Sequence, residues 1–319
     1  MPPRFSASGA GIRVESEPAP SGREGGAKDR NMKVFITGIN GQLGHDVAKV
    51  LEERNIPYRG LSSKALDITD PAAVSAELCS YRPDAVLHCA AFTKVDLAEE
   101  QPGRCWDVNA AGTRNLALVC RDIGAKLLYV STDYVFPGAG DAPYQTGDAV
   151  NPLNVYGMTK LAGELAVKSL LENYFIVRTS WVIGIHGQNF VKTMLRLAQS
   201  HSELSVVDDQ IGSPTFTADL APLLCDMIET EEYGLYHATN EGLCSWAELA
   251  ETVFRLSGKN VKVNHVSTEQ YPAKAARPRN SRLDKSSLSE HGFSRLPAWE
   301  QSLARFLETL REEQPIPSD

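Results

Sequence analysis

A doubly wound, mostly parallel α/β sheet of Rossmann type, with a smaller C-terminal α/β lobe, is the fold this sequence predicts. Three observations carry that prediction. Short apolar runs bounded by turn signals alternate with helix-period patterns over residues 34–180. A glycine-rich turn, TGINGQLG (37–44), joins the first run to the first helical pattern. After about Trp181 the alternation loosens, as an appended lobe would require.

The elements follow in chain order. VFIT (34–37) is a continuous apolar run, the mark of a strand buried on both faces. Leu43, Val47, Val50 and Leu51 recur at i, i+4, i+7 and i+8, one face of a helix. A second strand is expected near Tyr58–Leu61, and AVLHCA (85–90), KLLYVS (126–131) and FIVRT (175–179) repeat the character of the first. Val108, Ala111, Ala117 and Val119 outline another helix with poorer periodicity. SVVDDQIGSPTFT (205–217) reads as a strand running into a loop. Ser245-x-x-Glu248 is a capping box opening a helix that ends near Gly258. Trp299, Leu303, Phe306, Leu307 and Leu310 stripe a C-terminal helix. The expected organisation is a disordered tail over 1–31, an NAD(P)-binding domain over 32–181 to which parts of 217–240 return, and a mainly substrate-binding lobe over 182–319.

The tail is rich in Gly, Pro, Ser and charge and has no apolar period, so it cannot offset the entropy of ordering. It lacks the apolar core of roughly 7–15 residues that a secretory signal needs. Met32-Lys33 is a natural beginning, which makes the preceding segment a tail or a start-site artefact. The formal net charge of −8 speaks against a nucleic-acid partner. The longest stretch free of Asp, Glu, Lys and Arg, Thr179–Val191, is 13 residues, too short to span a bilayer. Six cysteines without a C-x-x-C pair read as reduced thiols of a cytoplasmic protein. Seven scattered histidines without H-E-x-x-H leave zinc no home.

Chemistry concentrates in three places. The glycines Gly38, Gly41 and Gly44, spaced G-x-x-G-x-x-G, permit a tight turn and a close approach of backbone to a pyrophosphate at a helix N-terminus. The strand near Tyr58–Leu61 ends in Ser62-Ser63-Lys64 rather than in an acid, which favours the 2′-phosphate of NADPH over NADH. Asp67 and Ile68, a few residues on, sit where a loop meets an adenine. Tyr156 and Lys160, at i and i+4, share one helical face, so a cation beside the phenol is expected to lower its pKa. Ser131-Thr132-Asp133 closes a predicted buried strand, where open α/β sheets place ligand-contacting groups.

The fingerprint, STDYVF (131–136) and LNVYGMTKLAGE (153–164) resemble the extended short-chain dehydrogenase/reductases. DAVLHCAAFTKVD (84–96), RTSW (178–181), NF-x-KTM (189–194), DQ-x-G-x-PT (209–215) and RP-x-NSRL (277–283) extend the resemblance from Met32 to Leu310. The resemblance implies an oxidoreductase that passes hydride from NADPH, or NADH, to C4 of a dTDP-linked 4-keto-6-deoxy sugar, giving dTDP-L-rhamnose. It implies Tyr156 as proton donor, Lys160 as its electrostatic partner and ribose ligand, and Thr132 as the supporting hydroxyl. Gly41, Gln42 and Leu43 would hold the pyrophosphate, and Asp67 and Ile68 the adenine end. Ala91, Phe92 and Thr93 would line the cofactor. Asp133 and Trp181 would meet the sugar and Arg277 its diphosphate. A magnesium-linked homodimer through Asp46, Asp219 and Glu300, or a monomer, is also implied.

Two alternatives stand beside this reading. A nucleotide-sugar epimerase or dehydratase shares the scaffold, but dehydratases follow Thr-Asp with Glu, and this chain has Tyr134. A non-catalytic subunit resembling the methionine adenosyltransferase β subunit keeps the Tyr/Lys helix but tends to carry Ser in place of Thr132.

Overall fold

The computed structural model describes residues 32–271 and 273–313. The expected disorder over 1–31 lies outside the described residues. Four of the first five strands end at or near the residues the apolar runs mark. They are β1 (Val34–Thr37), β2 (Tyr58–Leu61), β3 (Ala85–His88), β4 (Lys126–Thr132) and β5 (Tyr174–Thr179). With the strand Gly234–His237 they form one six-stranded sheet, ordered Gly234–His237, β5, β4, β3, β1, β2. Every pairing in it is parallel.

Side chains alternate across the sheet, and each face has its own core. Val34 and Ile36 meet helix α1 (Gln42–Glu53) and the helix Thr217–Ile228 through Val47, Leu51, Leu220 and Leu224. Leu288, Phe293 and Leu296, from near the C-terminus, close the same face. On the other face Phe35 and Val86 meet helix α2 (Pro71–Tyr81) and the helix Thr113–Ile123 through Leu78, Leu116 and Cys120. Local signals set the helix ends. Asp70 caps α2 by accepting from the Ala72 and Ala73 amides, with Pro71 at the first position. Both halves of the Ser245–Glu248 capping box are formed, and Gly258 ends that helix at φ 69°.

The poor periodicity near Val108 has a structural cause. Residues Asp107–Gly112 form a π-helical segment between the helices Pro102–Trp106 and Thr113–Ile123. A wider turn shifts the buried face, which runs through Cys105, Asn109, Gly112 and Thr113, while Ala111 is exposed. The segment expected as a strand and then a loop instead carries Glu203–Val207 followed by two short strands, Ile211–Gly212 and Thr215–Phe216. A separate apolar cluster built on Val191, Met194, Phe254, Trp299 and Leu303 holds this later part together. Among the described residues no helix is long and apolar enough to cross a membrane.

Candidate active site

β1 and β3 are neighbours whose following helices leave to opposite faces, and a cleft opens beyond their C-terminal ends. Its volume is about 830 Å³. The first wall is the turn after β1. Gly38 has φ 72°, and a Cβ there would lie 2.8 Å from the Ala90 backbone. A Cβ on Gly44 would lie 2.3 Å from the Gly38 carbonyl oxygen, so the turn closes only without side chains at these places. α1 starts at Gly41 with no side-chain cap. The first amides of a helix have no intrahelical partner, and here Gln42, Leu43 and Gly44 line the cleft. That arrangement fits a pyrophosphate.

The Gln42 side chain turns elsewhere. Its Oε1 accepts from the Gly184 amide at 2.9 Å and from Asn189 Nδ2 at 3.0 Å. Asn189 in turn caps the helix Phe190–Leu197 through the Lys192 amide. A Cβ on Gly184 would meet Thr217 Oγ1 and also Gln42 Cβ, the latter at 2.9 Å, so this loop packs closely on both side chains.

Ser62, Ser63 and Lys64 also line the cleft, and Lys64 is exposed and forms no ion pair among the described residues. Ala91 and Thr93 line it after β3. Asp67, Ile68, Phe92 and Arg277 are not among the lining residues. Asp67 accepts from the Thr69 amide and hydroxyl, which hold its carboxyl below the usual range. Ile68 is buried in the second core. The Phe92 amide and carbonyl both bond the Asn109 side chain. Arg277 is held in a fork by Asp96, at 2.7 and 3.2 Å.

The opposite wall carries Thr132, Asp133, Tyr156 and Lys160. Asn154 caps their helix, Val155–Leu170, by accepting from the Gly157 amide, and fixes its first turn. Gly157 packs against the Tyr134 carbonyl, where a Cβ would come within 2.2 Å, so the helix start sits tight on the end of β4. Burial pushes the Tyr156 phenol well up from its ordinary value, and the Thr132 hydroxyl pulls it partly back. The expected lowering by Lys160 is not found. Lys160 Nζ donates to the Val130 carbonyl at 2.7 Å and lies 4.0 Å from the centre of the Tyr129 ring. Burial lowers the lysine itself to about 7. Tyr156 therefore keeps its proton at neutral pH, as a donor must. Tyr134 packs edge-on against the Tyr156 ring with centroids 5.6 Å apart.

Two buried polar atoms beside these groups lack partners among the described residues, Asp133 Oδ2 and Thr179 Oγ1. Burial raises the Asp133 carboxyl to about 6. Trp181 lines the cleft at φ 49°, a conformation bulky residues rarely adopt. Its ring stacks on Trp246 at 3.8 Å and 17°, and Gly212 leaves room at its edge. Trp246, which also lines the cleft, was not singled out from sequence, because nothing local links it to Trp181. Asp219 is ion-paired with Arg305 at 2.6 Å, and Asp46 accepts from the Thr217 hydroxyl. Among the described residues no group of three or more His, Cys, Asp or Glu is gathered to hold a metal, so magnesium finds no support.

The chain was compared with known proteins. A dTDP-4-dehydrorhamnose reductase of Streptomyces griseus is 42% identical over 292 residues, 89% of this chain and 96% of that protein. The crystal structure of a dTDP-4-dehydrorhamnose reductase from Clostridium acetobutylicum matches with a TM-score of 0.86 at 42% identity, over 88% of this chain and 100% of that one. The Bacillus anthracis dTDP-4-dehydrorhamnose reductase, solved in complex with NADP, gives 0.86 at 45%, over 88% and 99%. The family model described as RmlD substrate binding domain matches residues 32–312. Since that match takes in both the glycine turn and the Trp181 lobe, the chain belongs to the RmlD substrate binding domain family.

Proposed function

We propose that this protein is an NADPH-dependent reductase that converts dTDP-4-dehydro-L-rhamnose to dTDP-L-rhamnose. The observation that carries the reading is the convergence of Thr132, Tyr156 and Lys160 on one cleft with the glycine turn. Its likeness to named reductases over nearly the full length of those proteins supports the same substrate class. Residues 32–181 with 217–240 would serve the cofactor and 182–319 mainly the sugar.

The glycine turn and the amides of Gln42, Leu43 and Gly44 would hold the pyrophosphate, and Lys160 the nicotinamide ribose. Ser62, Ser63 and Lys64 would take a 2′-phosphate, which is the basis for preferring NADPH. A reduced nicotinamide, when bound, supplies the hydride. Negative charge then builds on the sugar's C4 oxygen. Tyr156 protonates that oxygen and Thr132 hydrogen-bonds it, so both act more strongly on the transition state than on the ketone. Asp133 Oδ2 and Thr179 Oγ1, without partners among the described residues, would bond sugar hydroxyls. Tyr134, standing where the related dehydratases have Glu, supplies no acid for dehydration.

The test is NADPH oxidation at 340 nm (roughly the nicotinamide band) with the dTDP-4-keto sugar, run beside NADH. Turnover with NADPH at lower KM than NADH is expected. A protein that binds NADPH and never oxidises it with the keto sugar would be a regulatory subunit instead.

A further inference from the structure

One buried carboxylate ties together the elements that carry the proposed proton donor. Glu164 lies one turn beyond Lys160 on the same helix and is fully buried. Its Oε1 accepts from the Ser131 hydroxyl at 2.6 Å and from Arg178 Nε at 2.8 Å. Its Oε2 accepts from Arg178 Nη2 at 2.7 Å. Ser131 and Arg178 are direct partners on β4 and β5, and so are the next residues, Thr132 and Thr179. Alternation along a strand sends the first pair to the helix carrying Glu164 and the second pair into the cleft. The carboxylate thus fixes the height of the helix against both strand ends at once.

A buried ion pair is a poor way to gain stability, because desolvation offsets most of its attraction. Its position beside Lys160 supplies a different reason. Burial is the largest influence on the Lys160 ammonium and draws it down; Glu164 is the largest influence opposing it, followed by the Cys105 and Cys89 thiols. His88 on β3 also faces the lysine, and burial first and Lys160 second keep that imidazole neutral, at about 3. Tyr129 on β4, under the ammonium, carries no charge at neutral pH, since burial raises its phenol. Tyr156, on the lysine's own helix, is likewise protonated. Glu164, ion-paired with Arg178, is the carboxylate among these groups around Lys160.

We propose that Glu164 is a positioning residue for the proton-donor pair: it registers the Tyr156–Lys160 helix against Thr132 and Thr179, and it sets a carboxylate one turn from the Lys160 ammonium. The proposal rests on the roles given above to Tyr156 and Lys160.

Glu164→Gln alone strands the Arg178 guanidinium, so the test pairs it with Arg178→Gln. The folded double variant should lose roughly ten- to a hundredfold in kcat, and the alkaline limb of its pH profile should move about one unit toward acid. The sign follows from losing the anion nearest Lys160, since the Arg178 guanidinium removed with it is not among the influences on that ammonium: Lys160 gives up its proton sooner. Glu164→Asp keeps the charge and shortens the reach, so kcat should fall severalfold while the limb stays in place. NADPH affinity measured against pH should shift in the double variant as the rate does, and it needs no turnover. A shifted binding profile in a protein that never turns over would retire the proposed reaction and keep the role of Glu164. Rate and binding profiles that overlay the native ones would overturn the proposal. If the double variant does not fold, Ser131→Ala, which strands no charge, decides with Glu164→Asp: native kcat in both overturns it.

Discussion

At the turn after β1 the groups facing the cleft are peptide amides, while across the cleft at Trp181 they are side chains held in place by other side chains. The turn needs only Gly38 and Gly44, whose missing Cβ atoms let the backbone close on itself. The Trp181 wall needs a strained φ of 49°, a stacking partner 65 positions later in the chain and the gap left by Gly212. A backbone site tolerates most changes in side chain and recognises what all dinucleotides share. A wall of packed side chains discriminates, and each neighbour that holds it can retune it.

Four substitutions test that contrast, and the largest effect is expected at the proposed proton donor. Tyr156→Phe keeps the ring against Tyr134 and removes the proton. Turnover should fall by roughly 10²–10⁴-fold, with NADPH affinity and melting temperature close to native. Turnover near the native rate would end the assignment. Gly44→Ala forces a methyl against the Gly38 carbonyl, a strain of about 1–3 kcal/mol, so NADPH should bind roughly 5- to 160-fold more weakly in a fluorescence titration. Unchanged affinity would mean that the turn gives way easily and the backbone wall is less exacting than its geometry.

Trp246→Ala removes a stack worth about 0.5–1.5 kcal/mol and frees Trp181 to relax. The keto-sugar KM should rise roughly 2- to 13-fold with NADPH affinity unaltered; equal losses for both ligands would erase the distinction between the walls. The last substitution, read in stability rather than in rate or binding, concerns Asp133. Its carboxyl is raised by burial to about 6, so the folded protein holds that proton more tightly than the unfolded chain, whose Asp titrates near ~3.9. The carboxylate therefore costs stability that appears as pH rises from about 4 through about 6. Asp133→Asn should raise the melting temperature at pH 7.5 by an amount equivalent to about 1–3 kcal/mol, and add nothing below pH 4. A gain that is the same at both pH values would place the effect in packing instead.

What the sequence made legible was what one element carries by itself. The buried strands announce themselves as apolar runs, and Tyr156 and Lys160 share a helix face by spacing alone. The glycine turn is eight consecutive residues. What stayed hidden was pairing across long separations. Arg277 meets Asp96 from 181 positions away, which occupies a guanidinium expected to meet a diphosphate. Trp246 reaches Trp181, and Glu164 reaches Ser131 and Arg178, only once the sheet and its helices have assembled. The lysine's effect on Tyr156 was misjudged for a related reason: spacing places Lys160 on the right face but does not show that Val130 offers its ammonium a carbonyl. The π segment at Asp107–Gly112 defeats a reading based on a fixed helical period.

The two-way use of Gln42 has a consequence for recombining relatives. Its peptide faces the dinucleotide site while its side chain holds Gly184 and Asn189, more than 140 positions on. A chimera that exchanged β1, the turn and α1 for the same block of another dinucleotide enzyme would import a competent cofactor turn and still leave the Gly184 amide and the Asn189 cap without their acceptor. Grafts at this boundary should therefore travel as two pieces, residues 34–53 together with 184–189. The block that looks most portable in the sequence is anchored to the half of the molecule it appears to precede.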